Sequence, residues 1–213
     1  MELDTVLSNR RSVRIYSDKR VEDSAIRQII EAGTWAPSAC NIQGWRFIVI
    51  DQKEIFSEIL KHGAAAFLKS TNQAILVLYN NNTDNLMYSD YIQSASACIE
   101  NMLLKAYSLG IGACWINNLP EKKVLRKIFN IPSHYDPIAL VSIGYAVQQP
   151  NPRPRKHPLD EIIAYNRFSF NRTEGKGGVK LRVKRVARKI YYKLPLKSKL
   201  LKFAGKFEKK FDN

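Results

Sequence analysis

The chain of 213 residues is long enough for one domain with a sizeable core, and 45% of its residues are apolar, well above the fraction in disordered chains. No apolar run reaches the roughly 18–20 residues that cross a bilayer, and the first residues lack the basic-then-apolar order of a secretory signal. Three widely spaced cysteines without a CxxC pair argue against a disulfide framework and a zinc site. We therefore expect a cytoplasmic protein without a metal.

The net charge of +15 is distributed unevenly along the chain. Residues 1–167 carry 19 basic and 16 acidic side chains, a net charge of +3, whereas residues 168–213 carry 15 basic and 3 acidic ones, a net charge of +12. This change in composition predicts a body at 1–167 and a basic extension at 168–213.

Helical and strand patterns alternate along the body. In chain order they are a short helix at 2–9, a helix opened by Glu22 and Asp23, a strand at 45–51, a helix at about 55–60, a strand at 73–79, a long helix at about 86–109, a short strand at 113–116, a small helix that stops before Pro132 and a strand at 137–147. The strands at 45–51 and 73–79 are continuous apolar runs, which is typical of strands covered on both faces. This order predicts an α+β or α/β sandwich with one central sheet.

The long helical pattern at 86–109 is apolar over most of its circumference. A helix of this kind is typical of the centre of a domain or of a subunit interface. Because it carries more apolar surface than one small domain would cover, we expect it to lie at a homodimer interface.

Two basic clusters lie far apart in the sequence. Residues 10–14 place three guanidinium groups and one hydroxyl within five positions, and Arg153, Arg155 and Lys156 form a second group. Guanidinium groups bind phosphate through paired, charge-assisted hydrogen bonds. Short basic clusters are also common on solvated loops, so each cluster alone leaves both interpretations open.

A polar loop at 37–45 joins a predicted helix to a predicted strand. Ser38, Asn41 and Gln43 offer donors and acceptors that suit the edge of a heterocycle. The same groups could instead satisfy the backbone of the turn.

Four motifs, in this order, resemble those of FMN-dependent nitroreductases. They are RRSVRxY at 10–16, APSxxNxQxW at 36–45, LGIGACWI at 109–116, and SIGYA followed by PRPRKHPLDEI at 142–162. The resemblance covers about residues 1–166. It implies a nitroreductase-like α+β sandwich with a central mixed sheet flanked by helices, and an obligate homodimer with one FMN at each of two shared interface sites.

The resemblance also implies which residues bind the cofactor: Arg10, Arg11, Ser12, Arg14, Pro37, Ser38, Asn41, Gln43, Arg153 and Arg155. Arg10 and Ser12 would hold the FMN phosphate and its approach, and Arg14 would lie near the pyrimidine edge of the flavin. Ser38 and Asn41 would belong to the loop that contacts the cofactor, which the partner subunit often supplies. Arg153 and Arg155 would lie at the phosphate. Gly44 replaces the more usual proline of this motif, which we expect to loosen the loop and which leaves the role of Gln43 open.

The implied chemistry needs no catalytic side chain, because the flavin carries the hydride at N5 and the protein supplies binding, orientation and electrostatics. NADH or NADPH would reduce FMN and leave, and a small organic acceptor such as a nitroaromatic or a quinone would then take its place. Alternatives are reduced-flavin chemistry with oxygen, dehalogenation, or a non-catalytic flavin-binding module. His62, His134 and His157 lie in unrelated contexts and are expected to be surface or structural residues.

The basic extension shows apolar residues at steps of three and four from Val179 to Leu194 and, after Pro195, from Leu196 to Phe211. Lys and Arg fill most positions between them, so the pattern predicts two basic amphipathic helices. Nothing in the nitroreductase resemblance accounts for them. They suit an anionic membrane surface through residues 179–211, or packing on the parent dimer. Nucleic acid is less favoured, because no RNA- or DNA-binding motif accompanies them.

Overall fold

The computed structural model describes residues 1–83, 85–151, 154–170, 183 and 186. The chain divides into two compact units, Met1–Pro150 and Asn151–Asn213. The boundary between the units thus lies at Pro150, whereas the change in charge lies at residue 167. No helix of the described residues is long and apolar enough to cross a bilayer.

The first unit contains the predicted elements in the predicted order. They are α1 (Leu3–Asn9), α2 (Asp23–Thr34), β1 (Trp45–Ile50), α3 (Lys53–Lys61), β2 (Gln73–Asn80), α4 (Asp90–Ser108), β3 (Gly112–Ile116), α5 (Lys122–Phe129) and β4 (Tyr135–Gly144). The largest difference is at the start of α4, which begins at Asp90 rather than near Leu86. Residues 86–89 form a turn instead, and Ser89 there has a left-handed φ of 49°.

The four strands form one sheet in the order β1-β2-β4-β3, and every neighbouring pair is antiparallel. Among the described residues, the parallel component is limited to one isolated bridge between Ser12 and Ala113. The predicted central sheet with flanking helices is confirmed, and its mixed character is confined to that bridge.

The expectation that two strands are covered on both faces is confirmed for β2 and wrong for β1. Residues 73–79 of β2 are all buried, because this strand lies between β1 and β4. β1 pairs with β2 alone at the edge of the sheet, and its Arg46 and Val49 are exposed. A continuous apolar run therefore did not distinguish an edge strand from a central one.

Alternate residues of β2 point into two separate cores, as the two-residue period of a strand requires. Ile75 and Val77 pack in the core that contains residues of α2 and α4, whereas Leu76 and Leu78 pack in the core that contains residues of α3 and α5. The sheet is thus covered by helices on both faces, and the longest helix, α4, lies in the first core.

Most of the apolar face of α4 is covered within its own chain, although Ile92 near its start is 37% exposed. Cys98 and Met102 are fully buried in the core shared with α2 and the sheet. A Cβ atom on Gly33 of α2 would lie 2.8 Å from Cys98 Sγ and 2.8 Å from Met102 Cγ, so the missing side chain lets the two helices approach closely. The buried part of α4 is therefore explained within one chain, and the place of α4 at a dimer interface stays a prediction, as does the homodimer.

The second unit is described mainly over residues 154–170, where one 3₁₀ turn spans Leu159–Glu161. This segment exposes several large apolar side chains, namely those of Leu159, Ile162, Ile163, Tyr165 and Phe168. Val183 and Val186 are helical and exposed. The rest of the predicted helical extension lies outside the described residues, and its structure stays a prediction.

A buried carboxylate joins α5 to the start of β4. Asp136 is 6% exposed and pairs with Lys122 and Arg126 of α5, and Asn81 Nδ2 donates to its Oδ1 atom over 3.0 Å. Burial raises the pKa of Asp136, but the hydrogen bonds from Lys122 and Asn81 and the charges of Lys122 and Arg126 outweigh burial and lower it. The carboxylate is therefore ionised in the folded protein at neutral pH.

Asp136→Asn should destabilise the protein by about 1.5–3 kcal/mol at neutral pH, because two cations lose their charged acceptor. The pKa of Asp136 is lower in the folded chain than in the unfolded one. The ionised carboxylate therefore contributes to the free energy of unfolding above the ordinary aspartate pKa of about 3.9. This contribution is lost as the pH falls through the pKa of the folded state. The difference between variant and parent in urea unfolding should therefore shrink below about pH 4. Asp51→Asn is the control, since its pair with Arg20 is exposed and should cost less than about 1 kcal/mol.

Candidate functional site

The basic segment at residues 10–14 runs along the free edge of β3. Ser12 forms a parallel bridge with Ala113, and Val13 N donates to Ala113 O over 3.0 Å. Farther along, Ser17 N donates to Tyr145 O over 2.8 Å, directly after the end of β4. The chain is thus bonded to the sheet within the basic segment and again three residues after it.

Two glycines make room for this attachment. A Cβ atom on Gly112 would lie 2.8 Å from Val13 Cγ2, and one on Gly144 would lie 2.8 Å from Tyr16 Cδ1. These glycines belong to the LGIGACWI and SIGYA motifs, and the two side chains belong to RRSVRxY. Three of the four motifs therefore meet at one place. Glycine at the end of a strand is a signal of close approach by another group, and it could have been read from the sequence.

Tyr16 stabilises this junction, a role that was not predicted from the sequence. Its hydroxyl donates to Val13 O over 2.7 Å and lies 2.8 Å from Ser142 Oγ on β4. Burial raises the pKa of Tyr16, and the Ser142 hydrogen bond offsets this only in part, so the phenol remains protonated. Tyr16 thus has a structural role: its hydroxyl joins Val13 of the basic segment to Ser142 of β4.

The three guanidinium groups of the segment contact different parts of the structure. Arg10 Nε lies 3.5 Å from Glu100 Oε1 on α4, and the Arg14 guanidinium lies 5.9 Å from the centre of the Phe67 ring. Arg11 donates to Ser8 O over 2.7 Å and to Arg10 O over 2.8 Å, at the carboxyl end of α1. Arg11 therefore satisfies helix-end carbonyls, as basic side chains often do.

Cys114 lies on β3 next to Ala113, the residue with which Ser12 forms its bridge. Burial raises the pKa of its thiol, while the charges of Arg14 and Arg10 and a hydrogen bond with Ser12 lower it by a smaller amount. The thiol stays protonated and does not supply a nucleophilic thiolate. No group of three or more His, Cys, Asp or Glu side chains within the described residues could hold a metal ion.

The second candidate group, the loop at 37–43, is tied to the first turns of α4. Ala39 N donates to Ser94 Oγ over 3.0 Å. Gln43 N donates to Ser38 Oγ over 3.1 Å, and Gln43 Nε2 donates to Asn41 Oδ1 over 2.9 Å. The three predicted polar residues are thus bonded to one another, and these bonds do not use the Ser38 hydroxyl hydrogen, the Asn41 Nδ2 group or the Gln43 Oε1 atom, which could serve a ligand.

The backbone of this loop is strained. Cys40, Asn41 and Gln43 have φ values of 49°, 54° and 51°, in the left-handed region that residues other than glycine seldom adopt. Strain of this kind persists only where the surrounding structure holds it, and it is concentrated at functional sites. The geometry therefore favours the ligand-binding interpretation of the loop over that of a simple turn.

Gly44 does not loosen the loop, contrary to the expectation from its replacement of proline. It is buried, Asn80 N donates to its carbonyl oxygen over 2.9 Å, and a Cβ atom there would lie 2.9 Å from Tyr79 Cε1. The close contact with the Tyr79 ring leaves no space for any side chain. The loop is thus fixed at this end by packing.

The predicted residues form two groups within the first unit. Arg10 reaches α4 at Glu100 and the loop reaches it at Ser94, six residues apart, or about 9 Å along a helix axis. Pro37 is exposed at the start of the loop. Arg155 is exposed in the second unit, and Arg153 lies outside the described residues.

The three histidines are on the surface, as predicted. His62 lies 3.2 Å from Glu58, His157 lies 3.3 Å from Glu161, and His134 is exposed beside the Tyr135 ring. The neighbours named here, Glu58, Glu161 and Tyr135, belong neither to the basic segment nor to the polar loop.

Comparison with known proteins places the chain in a family. The sequence model of the nitroreductase family matches residues 7–89 and 64–145. A protein of Archaeoglobus fulgidus with the provisional name NADH dehydrogenase/NAD(P)H nitroreductase is 36% identical over 148 residues, which are 66% of this chain and 83% of that protein. The chain therefore belongs to the nitroreductase family.

Solved structures agree with this assignment. A Parabacteroides distasonis protein with the same provisional name is 30% identical with a TM-score of 0.69, and the match covers 78% of this chain and 98% of that one. A provisionally named nitroreductase of Desulfovibrio desulfuricans, crystallised in complex with FMN, is 28% identical with a TM-score of 0.65 over 79% of this chain and 99% of that one. The nitroreductase-like fold predicted from the sequence is confirmed.

Proposed function

We propose that this nitroreductase-family enzyme binds FMN and uses NADH or NADPH to reduce a small organic acceptor. The observation that carries the proposal is the attachment of the segment that bears Arg10, Ser12 and Arg14 to the edge of β3, where three separate motifs meet. Two guanidinium groups and a hydroxyl suit a phosphate and the electron-rich edge of a flavin. The donor set therefore fits FMN, the ligand of the Desulfovibrio relative.

Each residue of the basic segment would have a distinct role. Arg10 and Ser12 would hold the phosphate, and Arg14 would place a fixed positive charge near the pyrimidine edge, where it favours a reduced, negatively charged ring. Bound FMN would supply hydride transfer at N5 to and from the two substrates in turn. Arg11 is less suited to direct binding, because its guanidinium already serves the end of α1.

We also propose that the enzyme is a homodimer in which the polar loop of one copy completes the site of the other. In one chain the loop and the basic segment reach different positions on α4. Large apolar residues lie beside the loop, with Trp35 81% exposed and Ile42 49% exposed, and a second copy could cover them. This arrangement would let Ser38, Asn41 and Gln43 contact the cofactor without any change in the loop.

The absorption spectrum of the purified protein tests the proposal most directly. Bound FMN should give a yellow protein with a band near about 450 nm, and anaerobic addition of NADH or NADPH should bleach it. Protein that is colourless and does not take up added FMN would rule the proposal out.

The reaction that follows reduction separates the remaining functions. Rapid reoxidation by a nitroaromatic or a quinone supports the proposed reductase, whereas consumption of oxygen with conversion of a halogenated substrate or of the flavin supports the alternative chemistry. A yellow protein that neither nicotinamide can reduce would be a flavin-binding module.

We propose a cytoplasmic location, which fits three free cysteines that include the exposed Cys40.

A further inference from the structure

We propose that residues 179–211 bind the surface of an anionic lipid bilayer and hold the enzyme at a membrane. This function goes beyond the reductase reaction and does not depend on it. It concerns the segment of the chain that neither the motifs nor the proposed flavin site uses.

The extension is not needed for the family fold. The nitroreductase family match ends at residue 145, and the Parabacteroides structure aligns over 98% of its own length while covering only 78% of this chain. A relative with nearly the complete fold thus lacks a counterpart to about a fifth of this sequence. The extra residues need an explanation other than completion of the sheet or its cores.

The charge of the extension matches that of an anionic surface. Residues 168–213 carry a net charge of +12, whereas the remainder of the chain carries +3. A nearly neutral body offers little compensating charge for so many cations. Each Lys or Arg near a bilayer that contains acidic lipids gains a favourable interaction, and two extensions in a dimer would act together.

Apolar residues accompany the charge at helical spacing. They are Val179, Val183, Val186, Ile190 and Leu194 before Pro195, and Leu196, Leu200, Ala204, Phe207 and Phe211 after it. Val183 and Val186 are the described members of this set; both are helical, and they are 62% and 56% exposed. Residues three positions apart lie on the same face of a helix, so these two place an apolar face toward solvent. A bilayer interface would bury such a face between its lipid headgroups.

The apolar positions favour lipid over nucleic acid. RNA and DNA use Lys and Arg for their phosphates and can stack unpaired bases on Phe, but neither interaction uses aliphatic residues such as Ile190, Leu194 and Leu200. Lipid uses both features of the pattern, because cations meet the headgroups while large apolar side chains enter the interface.

Vesicle sedimentation with the full-length protein tests the proposal. At low salt, the protein should bind vesicles of 70% phosphatidylcholine and 30% phosphatidylglycerol and should leave pure phosphatidylcholine vesicles unbound. Binding should weaken steeply as salt rises, since the cations of the extension are screened. Failure to bind the anionic vesicles at low salt would overturn the proposal, as would release of bound protein by a short duplex DNA or RNA at equal phosphate concentration.

Two full-length variants separate the parts played by charge and by apolar side chains. The charge variant K197Q/K199Q/K202Q/K206Q should bind anionic vesicles about 10²- to 10³-fold more weakly, from roughly fivefold per cation. Its control, K53Q/K69Q/K123Q/K127Q, removes four exposed lysines from the body and should bind like the parent.

The apolar variant L200S/L201S/F203S/F207S keeps every charge and should lose at least about tenfold in vesicle affinity. Both extension variants should keep the flavin spectrum of the parent, which shows that the body remains folded. An apolar variant that binds vesicles as well as the parent would overturn the proposal, because simple attraction between charges would then account for binding.

Discussion

Replacing Arg10 with alanine should weaken FMN binding by about tenfold to a hundredfold, the largest effect expected from any single side chain of the site. The loss of one hydrogen bond to a charged group costs about 1.5–3 kcal/mol, which corresponds to that range of dissociation constants. Arg155→Ala should have an effect of similar size if the late basic cluster also serves the phosphate. Fluorescence titration of the apoprotein with FMN measures both.

Arg20→Ala is the matched control, because it removes the same charge from a side chain that is paired with Asp51 on the surface. It should bind FMN like the parent. Arg14→Ala should instead lower the two-electron reduction potential of the bound flavin by about 30–60 mV, since the reduced ring loses a neighbouring cation. Unchanged FMN affinity in the Arg10 and Arg155 variants, together with an unchanged potential in the Arg14 variant, would show that the residue assignment is wrong.

Gly44→Ala should destabilise the protein by about 1–3 kcal/mol, because the added methyl group would meet the Tyr79 ring in a closely packed core. The strained loop ends directly before this residue, so FMN affinity should fall as well. Urea unfolding gives the first effect and FMN titration gives the second.

Two further variants test the cause. The Tyr79 hydroxyl is buried without a hydrogen-bond partner, so Tyr79→Phe should not destabilise the protein. In the double variant G44A/Y79V, the smaller side chain should relieve the contact, and the total loss should be less than the sum of the two single losses. Strict additivity would mean that the Tyr79 ring is not what excludes a side chain at residue 44.

Local patterns were sufficient to predict the helices, the strands and their order. The periodicity of residues 90–108 and the apolar run at 73–79 each lie within one element, and elements are read from such runs. The same patterns could not show that β1 is an edge strand or that α2 covers α4. Both depend on which elements become neighbours, and the close approach at Gly33 depends on a single missing side chain.

The candidate site was predicted through the motifs and their resemblance to a family, not through their contacts. The sequence marked Arg10, Ser12 and Arg14 as a phosphate-binding group, yet it gave no sign that Arg11 would turn back to the end of α1. Nor did it show that Gly112 and Gly144 accommodate Val13 and Tyr16. The two glycine contacts join residues 99 and 128 positions apart (112 − 13 and 144 − 16), and no local pattern records such pairs.

The attachment of Tyr16 to Ser142 has a consequence for the order of folding. The two residues are 126 positions apart, so the basic segment leaves the ribosome long before the strand that holds it exists. Contacts of such separation form slowly, and the cofactor site can be completed only after β4 has joined the sheet. A flavin that binds only the finished site would then stabilise the complete fold over every partly folded form. Supply of the cofactor during synthesis should therefore raise the yield of folded enzyme as well as its activity.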